Sequence, residues 1–254
     1  MRMIVADIDG TLRDNKKDRL PAEMRDRAAT LLAQGWELYF LTGAPAAQVP
    51  REVPFTSAFA ECGGVKVNSQ GLLDFDKALR TPIEILQRAL GITPLYGLYG
   101  DAKARGIPVF LEGPRWTSIT FLTGMPKHCP GFSSNVPIKV LKEMVREVIM
   151  REGLYLNLSQ GEKPGEYAWL DVTAATKEAT VATLQQNGEE IFYLGDGEND
   201  FKAMSRHGVT PVGFRNSVLE IRRLACQRGV YIDKPGPQGG ALKFFDLLLE
   251  GRLG

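Results

Sequence analysis

The apolar run Met3–Ala6 ends abruptly in Asp7-Ile8-Asp9-Gly10. A short run of this kind reads as a buried strand, and its end carries two carboxylates. Side chains alternate along a strand with a period of two, so Asp7 and Asp9 leave its tip on the same side. Gly10 then lets the backbone turn tightly. Paired acids at a strand end are poor packing residues but a good start for binding a divalent cation. The same pattern also occurs at ordinary strand-to-turn junctions, where Asp and Gly are good turn formers. It does not fit an EF-hand: the twelfth position of a loop starting at Asp7 is Asp18 instead of Glu, and a strand leads into it where a helix should.

The first third of the chain alternates strand and helix. Pro21–Gln34 has helical composition and stops at Gly35, and Trp36–Leu41 is a second apolar strand ending in Thr42-Gly43. A helix-like stretch from Pro45 leads to a third strand near Ser57–Glu61. Val65–Asn68 and Leu72–Phe75, separated by Ser69-Gln70-Gly71, read as a hairpin. The last third alternates again. Thr176 is placed to cap a helix over Lys177–Gln186, and Ile191–Leu194 ends in Gly195-Asp196-Gly197-Glu198-Asn199-Asp200. Short strands near Thr210–Val212 and Gly229–Ile232 follow, then a closing helix over Gly239–Leu249. Such alternation predicts a parallel sheet with helices on its faces.

The middle reads differently. Helices are expected over Pro82–Leu90 and Pro94–Arg105, and paired strands at Val109–Glu112 and Thr117–Thr123 across Gly113-Pro114. An amphipathic helix over Ile138–Arg151 precedes strands at Tyr155–Ser159 and Tyr167–Val172. Helix, two strands, helix, two strands implies a separate antiparallel sheet inserted into an α/β core. The expected division is 1–80 with 173–254 for the core and 81–172 for the insert.

Composition narrows the function classes. Lys plus Arg is 31 and Asp plus Glu is 30, so the charge balance gives no reason to expect a nucleic-acid partner. Lys16-Lys17 reads as a solvated turn. Cys62, Cys129 and Cys226 are widely spaced and odd in number, which suits reduced thiols and a cytoplasmic setting. Only His128 and His207 are present, so a His-rich transition-metal site is not expected. His128-Cys129-Pro130 reads as a loop. No signal peptide is evident, and nothing approaches the roughly 20 apolar residues that span a membrane. Oxygen ligands and Mg²⁺ are the natural expectation for a bound metal.

Ligands of an open parallel sheet bind where the carboxyl ends of its strands meet. Four polar segments fall at such ends or at the helix that follows: Asp7-Ile8-Asp9-Gly10-Thr11-Leu12, Leu41-Thr42-Gly43, Lys177, and Gly195-Asp196-Gly197-Glu198-Asn199-Asp200. Together these segments resemble the four motifs of the haloacid dehalogenase-like phosphohydrolases, and the resemblance spans essentially the whole chain. The insert is similar to the C2 cap of subfamily IIB, a branch with sugar-phosphate phosphatases, phosphoglycolate phosphatases and phosphomannomutases. Glu61-Cys62-Gly63-Gly64 resembles the Glu-Asn-Gly turn of that branch, with Cys62 in place of Asn. The chain departs from the pattern at Ala44, where Arg or Asn is common, and at Glu178, where Gly usually follows the lysine.

The resemblance implies a Rossmann-like doubly wound core with an inserted α+β cap, and a Mg²⁺-dependent phosphatase acting on a small phosphorylated metabolite. Asp7 would be the nucleophile, forming an aspartyl-phosphate. Mg²⁺ would be held by the Asp7 carboxylate, the Asp9 backbone carbonyl and Asp196, with Asp200 supporting the metal or orienting Lys177. Lys177, Thr42, Gly43 and Asn199 would face the phosphoryl oxygens, and Asp9 would serve as acid and then base.

Substrate choice would lie in the cap, with Arg115-Trp116 as the leading pair and the loop Gln160–Tyr167 as a second candidate. An exposed turn Arg beside a half-buried Trp is the simpler expectation for Arg115-Trp116. Lys163 and Glu166 in the second loop read as solvated. A phosphomannomutase-like phosphohexomutase and a non-catalytic phosphosugar-binding protein are the alternatives, the second disfavoured by the cluster of acids. A monomer or homodimer without a membrane or nucleic-acid partner is expected.

Overall fold

The computed structural model describes residues 2–14, 19–93, 99–124, 136–163, 166–185 and 190–253. Lys16-Lys17, Asp18, His128-Cys129-Pro130 and Pro94 lie outside these residues.

The architecture is α/β, with two separate sheets. The larger contains β1 (Arg2–Ala6), β2 (Trp36–Leu41), β3 (Ser57–Ala60), β4 (Val65–Asn68), β5 (Leu73–Phe75), β11 (Glu190–Leu194), β12 (Val209–Phe214) and β13 (Val230–Ile232). Its strand order is β13-β12-β11-β1-β2-β3-β4-β5. All pairs from β13 to β3 are parallel, and β3, β4 and β5 form an antiparallel edge. Alternate residues of β1 feed two cores. Ile4 and Ala6 pack with Met24, Ala28 and Leu31 of α1 (Ala22–Ala33) and Phe244, Phe245 and Leu248 of α7 (Ala241–Leu249). Met3 and Val5 pack with Val181 of α4 (Lys177–Leu184), Ala203 and Met204 of α5 (Glu198–Met204) and Ile221 of α6 (Leu219–Arg228). A strand buried on both faces must be apolar throughout, which explains the unbroken Met3–Ala6 run. This is the Rossmann-like doubly wound arrangement that the sequence predicts. β1 lies between β11 and β2, where the direction of strand order reverses.

The smaller sheet is antiparallel, in the order β6-β7-β8-β10-β9. It comprises β6 (Tyr99–Ala104), β7 (Ile107–Glu112), β8 (Ser118–Gly124), β9 (Asn157–Lys163) and β10 (Tyr167–Thr173). α2 (Lys77–Leu90) and α3 (Ile138–Arg151) cover one face, joining Ile83, Leu86, Leu141, Val145 and Val148 to Leu111, Ile119, Phe121, Leu170 and Val172. The opposite face is built by the alternate residues. Thr120 pairs with Asp171, Glu112 with Thr120, and Asp171 with Ser159, so polar side chains align on this face.

Three local expectations are corrected. The helix expected over Pro94–Arg105 is a strand from Tyr99, closed by a two-residue turn in which Arg105 (φ 50°) and Gly106 (φ 82°) both take left-handed backbone. That conformation matches the right-handed twist of a hairpin, and Ala104 pairs with Ile107. The stretch after Pro45 makes only one helical turn, Ala46–Gln48, because Val49 must be extended before Pro50. α2 begins at Lys77 instead of Pro82: the Asp76 side chain accepts from the Ala78 amide at 2.8 Å and starts the helix earlier.

Candidate active site

The carboxyl end of β1 is extended by Asp7, whose amide donates to the Leu194 carbonyl of β11 at 2.9 Å. The chain then folds back on itself, with the Leu12 and Arg13 amides donating to the Ile8 carbonyl at 2.8 and 3.0 Å. Ile8 and Leu12 are fully buried and pin this turn to the core. Gly10 has φ 83°, and a Cβ built there would fall 2.3 Å from Asp196 Oδ2. The position requires glycine twice over: for its backbone and for the approach of the β11 loop.

Lys177 opens α4, whose N-cap Thr176 accepts from the Ala179 amide at 3.1 Å. Its fully buried ammonium donates to Asp7 Oδ1 and Asp200 Oδ1, each at 2.7 Å. Burial opposes the charged form of Lys177, but Asp200 and Asp7 outweigh it and hold the pKa above the ordinary lysine value. Asp200 is enclosed by donors. Tyr193 Oη reaches Oδ1 at 2.8 Å, and the amides of Asp196 and Gly197 reach Oδ2 at 3.3 and 3.1 Å. Asp200 meets both geometries expected of it: it holds the Lys177 ammonium, and it offers an oxygen to the same group of acids as Asp7 and Asp196. Burial and the charges of Asp200 and Asp7 raise the Tyr193 phenol well above its usual pKa, which keeps it a donor.

Asp196 follows β11 and accepts from Thr11 Oγ1 at 2.8 Å. Burial, then the charge of Asp200, pushes its pKa up to about 7. Burial also raises Asp7 well above the carboxylate range, against the attraction of Lys177 and with added repulsion from Asp200 and Asp196. One oxygen from each of Asp7, Asp196 and Asp200 lies within 4.8 Å of the others. Among the described residues, three crowded acids face one ammonium, and every ligand atom they offer is an oxygen. This set fits a hard divalent cation better than a thiolate- or imidazole-seeking metal.

Thr42 directly follows β2, buried, with its amide on the Phe59 carbonyl at 2.9 Å and its hydroxyl accepting from the Ala44 amide at 3.0 Å. Gly43 is flanked by Cys62 and Asn199: a Cβ there would lie 3.7 Å from Cys62 Sγ and 3.8 Å from Asn199 Nδ2. Asp7, Lys177, Asp196 and Asp200 thus form one cluster, and Thr42, Gly43 and exposed Asn199 gather beside one another. The Asp9 carboxylate stands outside the cluster of three acids, paired instead with Arg13 Nε at 2.6 Å.

Arg115 is neither exposed nor a free turn residue. Its guanidinium donates to the Gly43 carbonyl at 2.8 Å, to Ser118 Oγ at 3.2 Å and to the Glu112 carboxylate. Burial disfavours its charge, but Glu112, Asp171 and Glu61 outweigh that and raise its pKa. Trp116 stacks on Phe75 with ring centroids 5.2 Å apart. β9 runs to Lys163, so part of the expected loop Gln160–Tyr167 is strand; Glu166 lies between it and β10.

Four residues here were given no role in the sequence reading. Tyr193 and Thr11 hold Asp200 and Asp196, and Arg13 holds Asp9. Glu61, completely buried, accepts from the Trp116 amide at 2.9 Å, the Thr117 amide at 2.7 Å, Thr117 Oγ1 at 3.1 Å and Ser118 Oγ at 2.9 Å. The only sequence signal for it was the Glu61-Cys62-Gly63-Gly64 turn. A Cβ on Gly64 would fall 1.9 Å from Thr117 Oγ1, so this turn and the β7–β8 turn meet in direct contact.

No protein-family model matches this chain, and no curated protein does. Solved structures do. A haloacid dehalogenase-like hydrolase from Bacteroides thetaiotaomicron aligns over 97% of this chain and 99% of its own, at 15% identity and a TM-score of 0.61. A subclass IIB sugar phosphatase of the same superfamily aligns over 100% of both chains, at 15% identity and a TM-score of 0.56. The sucrose-phosphatase of Synechocystis, solved with sucrose and phosphate, aligns over 97% of this chain and 99% of its own, at 16% identity and a TM-score of 0.56. The chain therefore has the fold of the haloacid dehalogenase-like hydrolases. Within that class it shares, end to end, the fold of subclass IIB members.

Proposed function

We propose that this protein is a Mg²⁺-dependent phosphatase that hydrolyses a small phosphorylated metabolite through an aspartyl-phosphate on Asp7. The observation that carries this reading is the buried Lys177 ammonium bridging Asp7 and Asp200, beside Asp196, at the switch point of the parallel sheet. Residues 81–172 are read as the cap, and 1–80 with 173–254 as the catalytic core. The subclass IIB and sucrose-phosphate relatives of this fold favour a sugar phosphate as substrate.

Each residue has a chemical task in this reading. Asp7 attacks phosphorus as the bond to the leaving oxygen breaks. Lys177 has two of its three hydrogens on carboxylates, which leaves one for a phosphoryl oxygen. The Thr42 hydroxyl accepts from the Ala44 amide, so its own hydrogen is available to a second phosphoryl oxygen. The Gly43 amide and Asn199 border the same space. Asp9 protonates the leaving oxygen, then takes a proton from the water that cleaves the aspartyl-phosphate. A divalent cation held by Asp7, Asp196 and the Asp9 carbonyl would offset the charge that keeps a carboxylate and a phosphate apart.

Phosphate release from a panel of phosphorylated sugars and small acids tests the reading, with Mg²⁺ or EDTA and an Asp7→Asn control. Release that requires Mg²⁺ and is lost in the control is the expected result. Turnover persisting in Asp7→Asn would refute the nucleophile assignment, and isomerisation without phosphate release would point to a mutase.

A further inference from the structure

We propose that Arg13 is a positioning residue for Asp9, holding its carboxylate so that one oxygen is fixed and the other faces the reacting proton. The proposal rests on the phosphatase reading above. Arg13 Nε donates to Asp9 Oδ1 at 2.6 Å, and Nη1 reaches the Gln48 carbonyl at 3.4 Å. The turn that joins the two residues is itself closed, with the Gly10 amide on the Arg13 carbonyl at 2.9 Å and Arg13 bridged to Asp9. Among the described residues, Asp9 Oδ2 takes no hydrogen bond.

The accessibility of the two partners argues for positioning over stability. The Arg13 side chain is 10% exposed, while that of Asp9 is 32% exposed. The Asp9 carboxyl group is open to water. The guanidinium is the partner that has been desolvated to reach it. Ion pairs with one wet partner add little stability, so what the pair supplies is a fixed rotamer. The planar guanidinium suits this task, because its donors have fixed directions.

Gln48 ties the pair to the neighbouring machinery. Its side-chain amide donates to Glu112 Oε1 at 3.3 Å, Glu112 binds Arg115, and Arg115 binds the Gly43 carbonyl at 2.8 Å. One chain of polar contacts therefore runs from Asp9 to the phosphate-facing segment.

In the first step Asp9 Oδ2 gives its proton to the leaving oxygen while that oxygen parts from phosphorus and Asp7 bonds to it. In the second, Oδ2 recovers a proton from the attacking water as the Asp7–phosphorus bond breaks. An alkyl leaving group needs that proton in the first step far more than p-nitrophenolate does. The test is kcat/KM for Arg13→Met and Arg13→Lys in the presence of Mg²⁺, with two probes: p-nitrophenyl phosphate, and the sugar phosphate that wild type hydrolyses fastest. Arg13→Met is expected to lose about tenfold or more on the sugar phosphate beyond its loss on the aryl ester, a part of the roughly 10²–10⁴-fold that a positioned general acid contributes. Arg13→Lys should recover part of that difference. Equal losses on both probes, or none, would overturn the proposal, as would a rise in KM alone. If melting shows Arg13→Met unfolded, the ratio of the two losses in Arg13→Lys decides in the same way. A wild type without metal-dependent turnover would instead overturn the phosphatase reading and this proposal together.

Discussion

At the scale of single residues the site is a problem in crowded charge. Among the described residues, Lys177 is the one cation bonded to the cluster of Asp7, Asp196 and Asp200, and it touches two of them. Removing one partner from a buried ion pair leaves the other uncompensated, at a cost of about 3–5 kcal/mol. Lys177→Met is therefore expected to abolish turnover and to lower the melting temperature, more at pH 8 than at pH 5, where Asp7, whose pKa burial raises, can protonate. Thermal melts at the two pH values check it. Cys62 lies beside Gly43, within the electrostatic reach of Lys177. Burial pushes its thiol up to about 12, so at pH 8 it stays protonated. Thiol-specific labelling of the native protein at pH 8 is expected to leave Cys62 unmodified while exposed Cys226 reacts, with Cys62 reacting only after unfolding; mass spectrometry of the labelled peptides decides.

Elements carry these residues to the site, and their ends matter most. α4 begins at Lys177 because Thr176 caps it, so the cap also sets the direction of the ammonium. Thr176→Ala is expected to cost about 1 kcal/mol of stability, measurable by urea unfolding. The β7–β8 turn is held by Glu61, which accepts from two amides and two hydroxyls. Glu61→Leu leaves those buried donors unpaired, each at about 1–3 kcal/mol, and should raise the proteolytic sensitivity of the turn at Arg115. Limited trypsin digestion tests this, and unchanged cleavage at Arg115 would count against the clasp. β6 is the element the sequence hid. Arg105-Gly106 is a two-residue hairpin turn, but Arg at a positive φ is uncommon and composition gives no hint of it.

For the whole molecule, Asp196 and Asp7 oppose folding when they are charged. Asp196 titrates near 7 in the native state and near the ordinary carboxylate value, about 4, when unfolded. Its folded pKa is the higher one, so its contribution is fully present below about pH 4 and is lost as pH rises through about 7. Asp7 is raised in the same direction. The metal-free protein should therefore lose stability across this range, apart from other titrating groups. A divalent cation reverses the trend, because it binds the ionised acids of the native state only. The rise in melting temperature on adding Mg²⁺ in place of EDTA is expected to be larger at pH 8 than at pH 5.5. Equal shifts would argue that the cation binds elsewhere.

Much of the fold and the four site segments were legible in the sequence, because both rest on local signals. An unbroken apolar run, a strand–helix alternation, and acids placed directly after strands all follow from nearest-neighbour chemistry. Thr42, Lys177, Asp196 and Asp200 were named as candidates from their places at strand ends or at the start of the following helix. Tertiary structure alone decided which distant groups complete them. Tyr193 lies within an apolar strand and Glu61 in a turn, and neither shows a partner until the sheets are assembled. Arg13 was within four residues of Asp9, yet only the return of the chain over Gly10 aims its guanidinium at that carboxylate. Arg115 reads as a solvated turn residue until the β7–β8 turn packs against Gly64 and buries it on the Gly43 carbonyl. Local sequence determines what an element is and where it stops. Which polar atom a buried side chain meets is set by long-range packing, and no local pattern records it.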